Sequence, residues 1–355
     1  MSSESMYAIK VNKPNDFEYC QVPVPEPGPC EVLCRVETVA ICGTDPHIIN
    51  GDFPNFWPKE FPFIPGHEWS GVIVELNELS GKFGWKKGDR VCGISHVGCG
   101  YCSMCLSGRF NICINFGNEE LGHRQYGHYT PGAYAQYIRT SVKSIAHIPD
   151  DMGFNVGSCM DPLSIALHVI ERSLLEPGDS VLVNGTGPQG LMSIMCARSM
   201  GAGLIIASGR GTRLKLAEKL GAVPIDYQKE DVAARVIELT AGLGAKRVIE
   251  CAGTEKGVKQ ACAAVAKGGR ISMVGLPKED IAIPIKRIVL DEIDMVGNRA
   301  NPNTLERSIA MVQANKMDIK SLITHEYKLS DYAEALDVFV KRKDNSLKVV
   351  LKPNS

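Results

Sequence analysis

The stretch "SVLVNGTGPQGLMSIMCARSMGA", residues 180–202, restricts the fold more than any other part of the chain. An apolar run of strand character leads into Gly185, Gly187 and Gly190, spaced GxGxxG, and a run of helical character follows. The first glycine allows a tight turn, the second lets a pyrophosphate approach the backbone, and the third lets the helix pack closely on the strand. The helix N-terminus then faces the anion. "LIIAS", "TRLKLAEKLGA", "KRVIECAG", "VKQACAAVAKGG" and "RISMVGL" continue the strand and helix alternation, which predicts a doubly wound α/β unit over 154–297. An empty glycine turn is the plain alternative to a dinucleotide site.

Upstream the texture differs. "EVLCRVETVAICG", "SGVIVELN", "GDRVCGI" and "GAYAQYIRT" read as short strands broken by proline and glycine, which predicts a β-rich domain over 1–153. Past residue 298 helices mix with a final apolar run, "LKVVLK", and 298–355 is expected to return to the first domain. At 355 residues with 44% hydrophobic content, two compact units are the prior. The 39 basic and 40 acidic residues give no electrostatic reason for nucleic acid or an anionic membrane. The N-terminal stretch lacks the pattern of a secretory signal, and no run reaches the roughly 18 apolar residues a membrane span needs. A cytoplasmic protein with a small-molecule partner is expected.

Thirteen cysteines, an odd number, argue against a disulfide framework. Four of them, Cys99, Cys102, Cys105 and Cys113, fall within "CGYCSMCLSGRFNIC", where Gly98, Gly100 and Gly108 permit the loop to wrap an ion. Four sulfurs close a tetrahedral zinc and leave no room for substrate, so this site is expected to be structural. Clustered free thiols and an iron–sulfur centre are the alternatives.

A second set is dispersed: Cys42 in "CGTDPHIINGDF", His67 and Glu68 in "IPGHEWSG", and Asp161 in "SCMDPLSIALH". One thiolate, one imidazole and one or two carboxylates can hold zinc with a position open, as Lewis-acid catalysis requires. Taken alone these residues are weak evidence, and a packed thiol with a satisfied core histidine is the plainer reading. Asp45 suits an acceptor for the His67 ring N–H. Thr44 and His47 suit a hydroxyl and histidine pair passing a proton to solvent, although Thr44 could instead cap a helix.

The end of "LIIASGRGTRLK" decides the cofactor. No acid stands there to accept from a ribose 2′-hydroxyl; Ser208, Gly209 and Arg210 do, with Arg213 near, and this predicts NADP over NAD.

The combination of "CGTD" with His47, "GHE", the four-cysteine loop, "DPLSIALH", "GTGPQG", "VIECAG", "GGRISMVG" and "GNRAN" resembles the zinc-dependent medium-chain alcohol dehydrogenase superfamily, within it the sorbitol (polyol) and threonine dehydrogenase group. The resemblance implies a GroES-like β-rich catalytic domain plus a Rossmann doubly wound parallel-sheet domain, an active site in the cleft between them, and a homodimer or homotetramer. It implies two zincs, with Cys42, His67 and Glu68 as catalytic ligands and Asp161 where the group has a metal-proximal glutamate. Thr44 and His47 match its proton-relay positions, and Arg299 matches an arginine that organises water and substrate hydroxyls. Pro188 and Gln189 of the turn and Val274 of "GGRISMVG" join the cofactor-binding residues. Expected is reversible hydride transfer between a secondary alcohol and NADP. Ile48 and Ala300 depart from the polyol pattern, where tyrosine and an aromatic are usual. A threonine-type amino alcohol dehydrogenase using NAD, and a non-catalytic dinucleotide-binding zinc protein, are the alternatives.

Overall fold

The computed structural model describes residues 4–355; the first three residues of the domain expected over 1–153 lie outside the described residues. Two compact units emerge. One comprises residues up to Asp161 with Asn301–Ala310 and Asp318–Ser355, and the other comprises Pro162–Ala300 with Met311–Met317. The first border therefore falls after Asp161 rather than at 153. The reason is packing: the short helix Phe154–Gly157 lies on the first unit, where Ser70 Oγ donates to the Phe154 carbonyl and the Arg90 guanidinium sits 4.6 Å from the Phe154 ring centre.

The first unit opens with a hairpin of β1 (Ser5–Lys13) and β2 (Asp16–Pro23). Then come β3 (Glu31–Ala40), β4 (Glu68–Leu76), β5 (Arg90–Gly93), the short pair β6 (His96–Val97) and β7 (Arg124–Gln125), β8 (Tyr137–Ser141) and β9 (Ile145–His147). The strand expected in "GAYAQYIRT" is shorter than that run. Ala135 makes only an isolated bridge to Ala8, and regular pairing with β3 begins at Tyr137.

In the second unit β10 (Ser180–Asn184), β11 (Leu204–Gly209), β12 (Val223–Asp226), β13 (Ala245–Glu250), β14 (Val265–Met273) and β15 (Asp294–Gly297) form a parallel sheet in the order β12-β11-β10-β13-β14-β15. Neighbours reverse direction of travel at β10, the switch point at which doubly wound sheets bind ligands. The helical reading of "VKQACAAVAKGG" holds only to Ala264. From Val265 the chain pairs with β13, so a β-branched residue at a sheet position ends the helix expected there.

The chain then returns. β16 (Ile323–Lys328) and β17 (Lys348–Lys352) join the first unit, with β17 antiparallel to β3, completing a seven-stranded sheet. Trp69, Ile73, Val91, Val349 and Leu351 bury its core. Among the described residues no helix is long and apolar enough to cross a membrane.

Candidate active site

Three adjacent strands bring one set of donors together. β3 ends at Ala40, which faces Glu68 at the start of antiparallel β4 and Val350 on β17. Cys42 just past β3, His67 just before β4, Glu68 at its start and Lys348 on β17 therefore share one end of the sheet. The Cys42 Sγ, a His67 ring nitrogen and a Glu68 carboxylate oxygen all lie within 4.8 Å of one another, and His67 and Glu68 are buried.

The surroundings demand a cation. Burial works to lower the His67 pKa, yet the negative charges of Cys42 and Asp45 carry it up to about 10. His67 Nδ1 and Asp45 Oδ1 lie 3.6 Å apart, both buried and without hydrogen-bond partners. That is an ion-pair separation, longer than the hydrogen bond expected from the sequence. The other Asp45 oxygen is fully used, accepting from the Cys42 backbone N–H at 2.7 Å and the Tyr134 hydroxyl at 2.5 Å. Two anionic donors, an imidazole and orphaned buried polar atoms fit zinc better than any neutral occupant.

Thr44 occupies the N-cap position of the helix Asp45–Asn50 without capping it. Its hydroxyl instead donates to Cys42 Sγ at 3.2 Å. His47, on the same helix, is half-exposed and bonds through Nδ1 to Asp52.

Asp161 is buried but lies outside the 4.8 Å set. Its Oδ1 accepts from Asn301 Nδ2 at 2.9 Å, and burial pushes its pKa up to about 6, with the His67 charge opposing and Glu68 adding. Asn301 also reaches the Asp161 carbonyl at 3.3 Å. Arg299, half-buried, follows β15 in the second unit, whereas the Cys42 set lies wholly in the first.

Sequence reasoning missed the partners that arrive from distant strands. Lys348, fully buried, forms an ion pair with Glu68 and donates to the Ile41 carbonyl at 3.2 Å. Burial opposes its charge, but Glu68 and Cys159 hold its pKa well above the usual lysine range. A lysine inside the apolar run "LKVVLK" was the available signal. The His128 ring, 4.4 Å from that of His67 between centres, and the Tyr134 hydroxyl carried no comparable mark.

The four cysteines make the second cluster, again with all ligand atoms within 4.8 Å. The Cys99 to Cys105 and Cys102 to Cys113 sulfur pairs lie 3.9 and 3.8 Å apart. Zn–S bonds of about 2.3 Å in a tetrahedron require about 3.8 Å between sulfurs. Although burial raises it, the Cys99 thiol is drawn down to about 6 by the backbone N–H groups of Tyr101 and Cys102, which favours a thiolate. Gly98 admits this approach, since a Cβ there would lie 2.5 Å from Cys105 Sγ.

In the second unit Gly185 takes φ +109°, and a Cβ on Gly190 would fall 1.8 Å from the Gly185 carbonyl oxygen. At Gly187 a Cβ would meet nothing within 4 Å. The helix Pro188–Ser199 begins at once with Pro188 and Gln189, whose buried Nε2 has no hydrogen-bond partner. These features suit backbone approach to a pyrophosphate at a helix N-terminus. Near the end of β11 the Ser208 hydroxyl is buried without a partner; past the strand Arg210 is exposed, and Arg213 lies on the next helix, Gly211–Lys219. Val274 follows β14, its N–H bonded to the Glu250 carbonyl.

A parallel doubly wound unit joined in one chain to a β-rich unit with a mixed thiolate, imidazole and carboxylate set defines a metal-dependent dehydrogenase. Residues 28–150 match the alcohol dehydrogenase GroES-like domain, and residues 188–314 match the zinc-binding dehydrogenase family. The sorbitol dehydrogenase of Bacillus subtilis is 32% identical over 357 residues, spanning 99% of this chain and 98% of that protein. The L-threonine 3-dehydrogenase of the same organism is 31% identical over 94% of each. A zinc-binding dehydrogenase of Sinorhizobium meliloti, solved bound to NADP, superposes with a TM-score of 0.88 at 30% identity, covering 99% of this chain and all of that one. The chain belongs to the zinc-dependent medium-chain dehydrogenases, in the group that holds sorbitol and threonine dehydrogenases. It is an oxidoreductase, and the non-catalytic alternative falls.

Proposed function

We propose that the chain is an NADP-linked dehydrogenase of small secondary alcohols, with Cys42, His67 and Glu68 holding a catalytic zinc. The observation that carries this reading is the convergence of those three side chains within 4.8 Å in a buried, cation-demanding setting. Zinc bound there supplies Lewis acidity toward the substrate oxygen, and NADP supplies the hydride acceptor. Thr44 is assigned to take the hydroxyl proton and His47 to deliver it to solvent. Asp161, turned toward Asn301, is assigned a place beside the metal, acting through water, and Arg299 the orientation of substrate hydroxyls. A screen of polyols, amino alcohols and their ketones with both nicotinamide cofactors, alongside zinc analysis, tests the reading. Turnover of secondary alcohols with one zinc bound at the open set supports it, and turnover of none contradicts it.

Gly185, Gly187, Pro188, Gln189, Gly190 and Val274 are assigned to the dinucleotide, and Ser208, Arg210 and Arg213 to the 2′-phosphate. The absence of an acid at the end of β11 and the NADP-bound relative support this choice. Arg210→Ala is expected to raise KM for NADP about tenfold while leaving KM for NAD within about twofold, because one charge-assisted contact is removed. Equal change in both constants contradicts the assignment.

The four cysteines are assigned a structural zinc, making two per subunit. Its removal by a chelator is expected to lower Tm by about 4–8 °C, corresponding to about 2 kcal/mol, read by differential scanning calorimetry. An unchanged Tm on loss of that zinc contradicts a structural role.

A threonine-type amino alcohol with NAD is the second reading, favoured by the L-threonine 3-dehydrogenase relative. The same screen separates the two. We further assign a homodimer or homotetramer, supported by Ile285, Val289 and Leu290, which leave the helix Ile285–Leu290 with an exposed apolar face.

A further inference from the structure

We infer that Asp52 is a positioning residue for the proton relay: its carboxylate holds His47 with Nδ1 protonated, so that Nε2 is the atom that takes and releases the substrate's proton. The inference rests on the relay reading of Thr44 and His47 given above.

The chain geometry couples the two residues twice. The helix Asp45–Asn50 ends at Gly51, which takes φ +71° and donates to the Ile48 carbonyl. The following N–H, that of Asp52, turns back to the His47 carbonyl at 2.9 Å. This return carries the Asp52 side chain over the helix end, where Oδ2 lies 2.6 Å from His47 Nδ1. The turn itself is braced from outside the helix: a Cβ at Gly51 would meet Pro14 Cγ at 2.9 Å, and the Asn15 N–H donates to the Ile49 carbonyl. On the ring's other side Phe53 packs edge-on at 6.0 Å between centres. The imidazole is thus fixed in place by a carboxylate and an aromatic ring.

Among the described residues, no other charged group pairs with this ring. Asp45 on the same helix is committed to Cys42, Tyr134 and His67. The β1–β2 turn packed against the helix contributes Pro14 and Asn15, and its charged flanks Lys13 and Asp16 lie 3.9 Å from each other. Among the described residues, Asp52 is the charged partner of His47.

The chemistry follows from what each atom can do. An ionised carboxylate only accepts, so a bond to Nδ1 places the ring's hydrogen there and leaves a lone pair on Nε2. During alcohol oxidation the hydroxyl proton reaches Nε2, the neutral ring becomes an imidazolium paired with Asp52, and the Nε2 proton then passes to water. The Asp52 carboxylate accepts from Nδ1 throughout, and the step involves no oxidation or reduction. Side-chain exposures of 35% for His47 and 37% for Asp52 give water access to the pair.

The test uses the zinc-loaded holoenzyme with 15N-labelled histidine. The His47 resonances are identified among the eight histidines by their loss in His47→Gln. In the parent protein they are expected to report the Nδ1–H form. Asp52→Asn keeps an acceptor at that place, and is expected to keep the tautomer. Asp52→Ala is expected to lose it. The kcat for alcohol oxidation is expected to fall about tenfold in Asp52→Ala and to be largely kept in Asp52→Asn, and Asp52→Ala is expected to add no further loss in a His47→Gln background. An unchanged tautomer in Asp52→Ala overturns the inference. Unchanged kcat and pH profile in His47→Gln overturns the relay reading instead, while the tautomer measurement still reports on the pair.

Discussion

Cys42→Ser is expected to lower kcat for alcohol oxidation by at least about a thousandfold, with the dissociation constant for the nicotinamide cofactor changed by no more than about twofold. The magnitude follows from the proposed role: Cys42 is one of three donors assigned to the catalytic zinc, and electrostatic stabilisation of this kind is usually the largest single effect on the rate. The separation of the two readouts follows from the fold, because Cys42 lies past β3 in the first unit whereas the glycine turn follows β10 in the second. Thr44 also loses its bond to the Cys42 sulfur. Steady-state kinetics, cofactor fluorescence titration and zinc analysis on the same preparation make the comparison. A rate within about tenfold of the parent, with zinc still bound, contradicts the assignment of Cys42.

Lys348→Met has the largest expected effect on stability, destabilising the zinc-free first unit by about 3–5 kcal/mol. Lys348 and Glu68 are both only 3% exposed at their side chains, so methionine fills the volume but leaves the Glu68 carboxylate in a low-dielectric setting without its counter-charge. The chain's three tryptophans, Trp57, Trp69 and Trp85, all lie in the first unit, and their fluorescence during urea unfolding reports on that unit alone. Lys348→Met with Glu68→Gln is expected to recover most of the loss, since removing both charges leaves none uncompensated. A single substitution that leaves the unfolding midpoint in place contradicts a tightly coupled pair.

These two experiments sit on opposite sides of what the sequence can disclose. The glycine turn and the four-cysteine loop were legible because their constraints are local: a positive φ at Gly185, contact between Gly190 and the Gly185 carbonyl, and four sulfurs on one short loop. Cys42, His67 and Glu68 were nameable as donors, but only the pairing of β3 with β4 brings Cys42 up to the other two. Lys348 lies 280 residues beyond Glu68, and its approach depends on β17 returning to β3 from the far end of the chain. Asp161 shows the converse. Its residue type suited a ligand, while Asn301, 140 residues on, takes its Oδ1, a competition that spacing does not reveal. Asp45 and His67 meet as an ion pair 3.6 Å apart rather than through the hydrogen bond their residue types suggest, while Tyr134 and the Cys42 N–H hold the second Asp45 oxygen.

The central claim, that one chain carries an open and a closed zinc site, is tested most directly by an anomalous difference map at the zinc edge from crystals of the zinc-loaded protein. The account predicts two peaks per chain, one enclosed by Cys99, Cys102, Cys105 and Cys113 and one bonded to Cys42 and His67 with Glu68 alongside. A single peak at the four cysteines, with nothing bonded to Cys42 and His67, contradicts it.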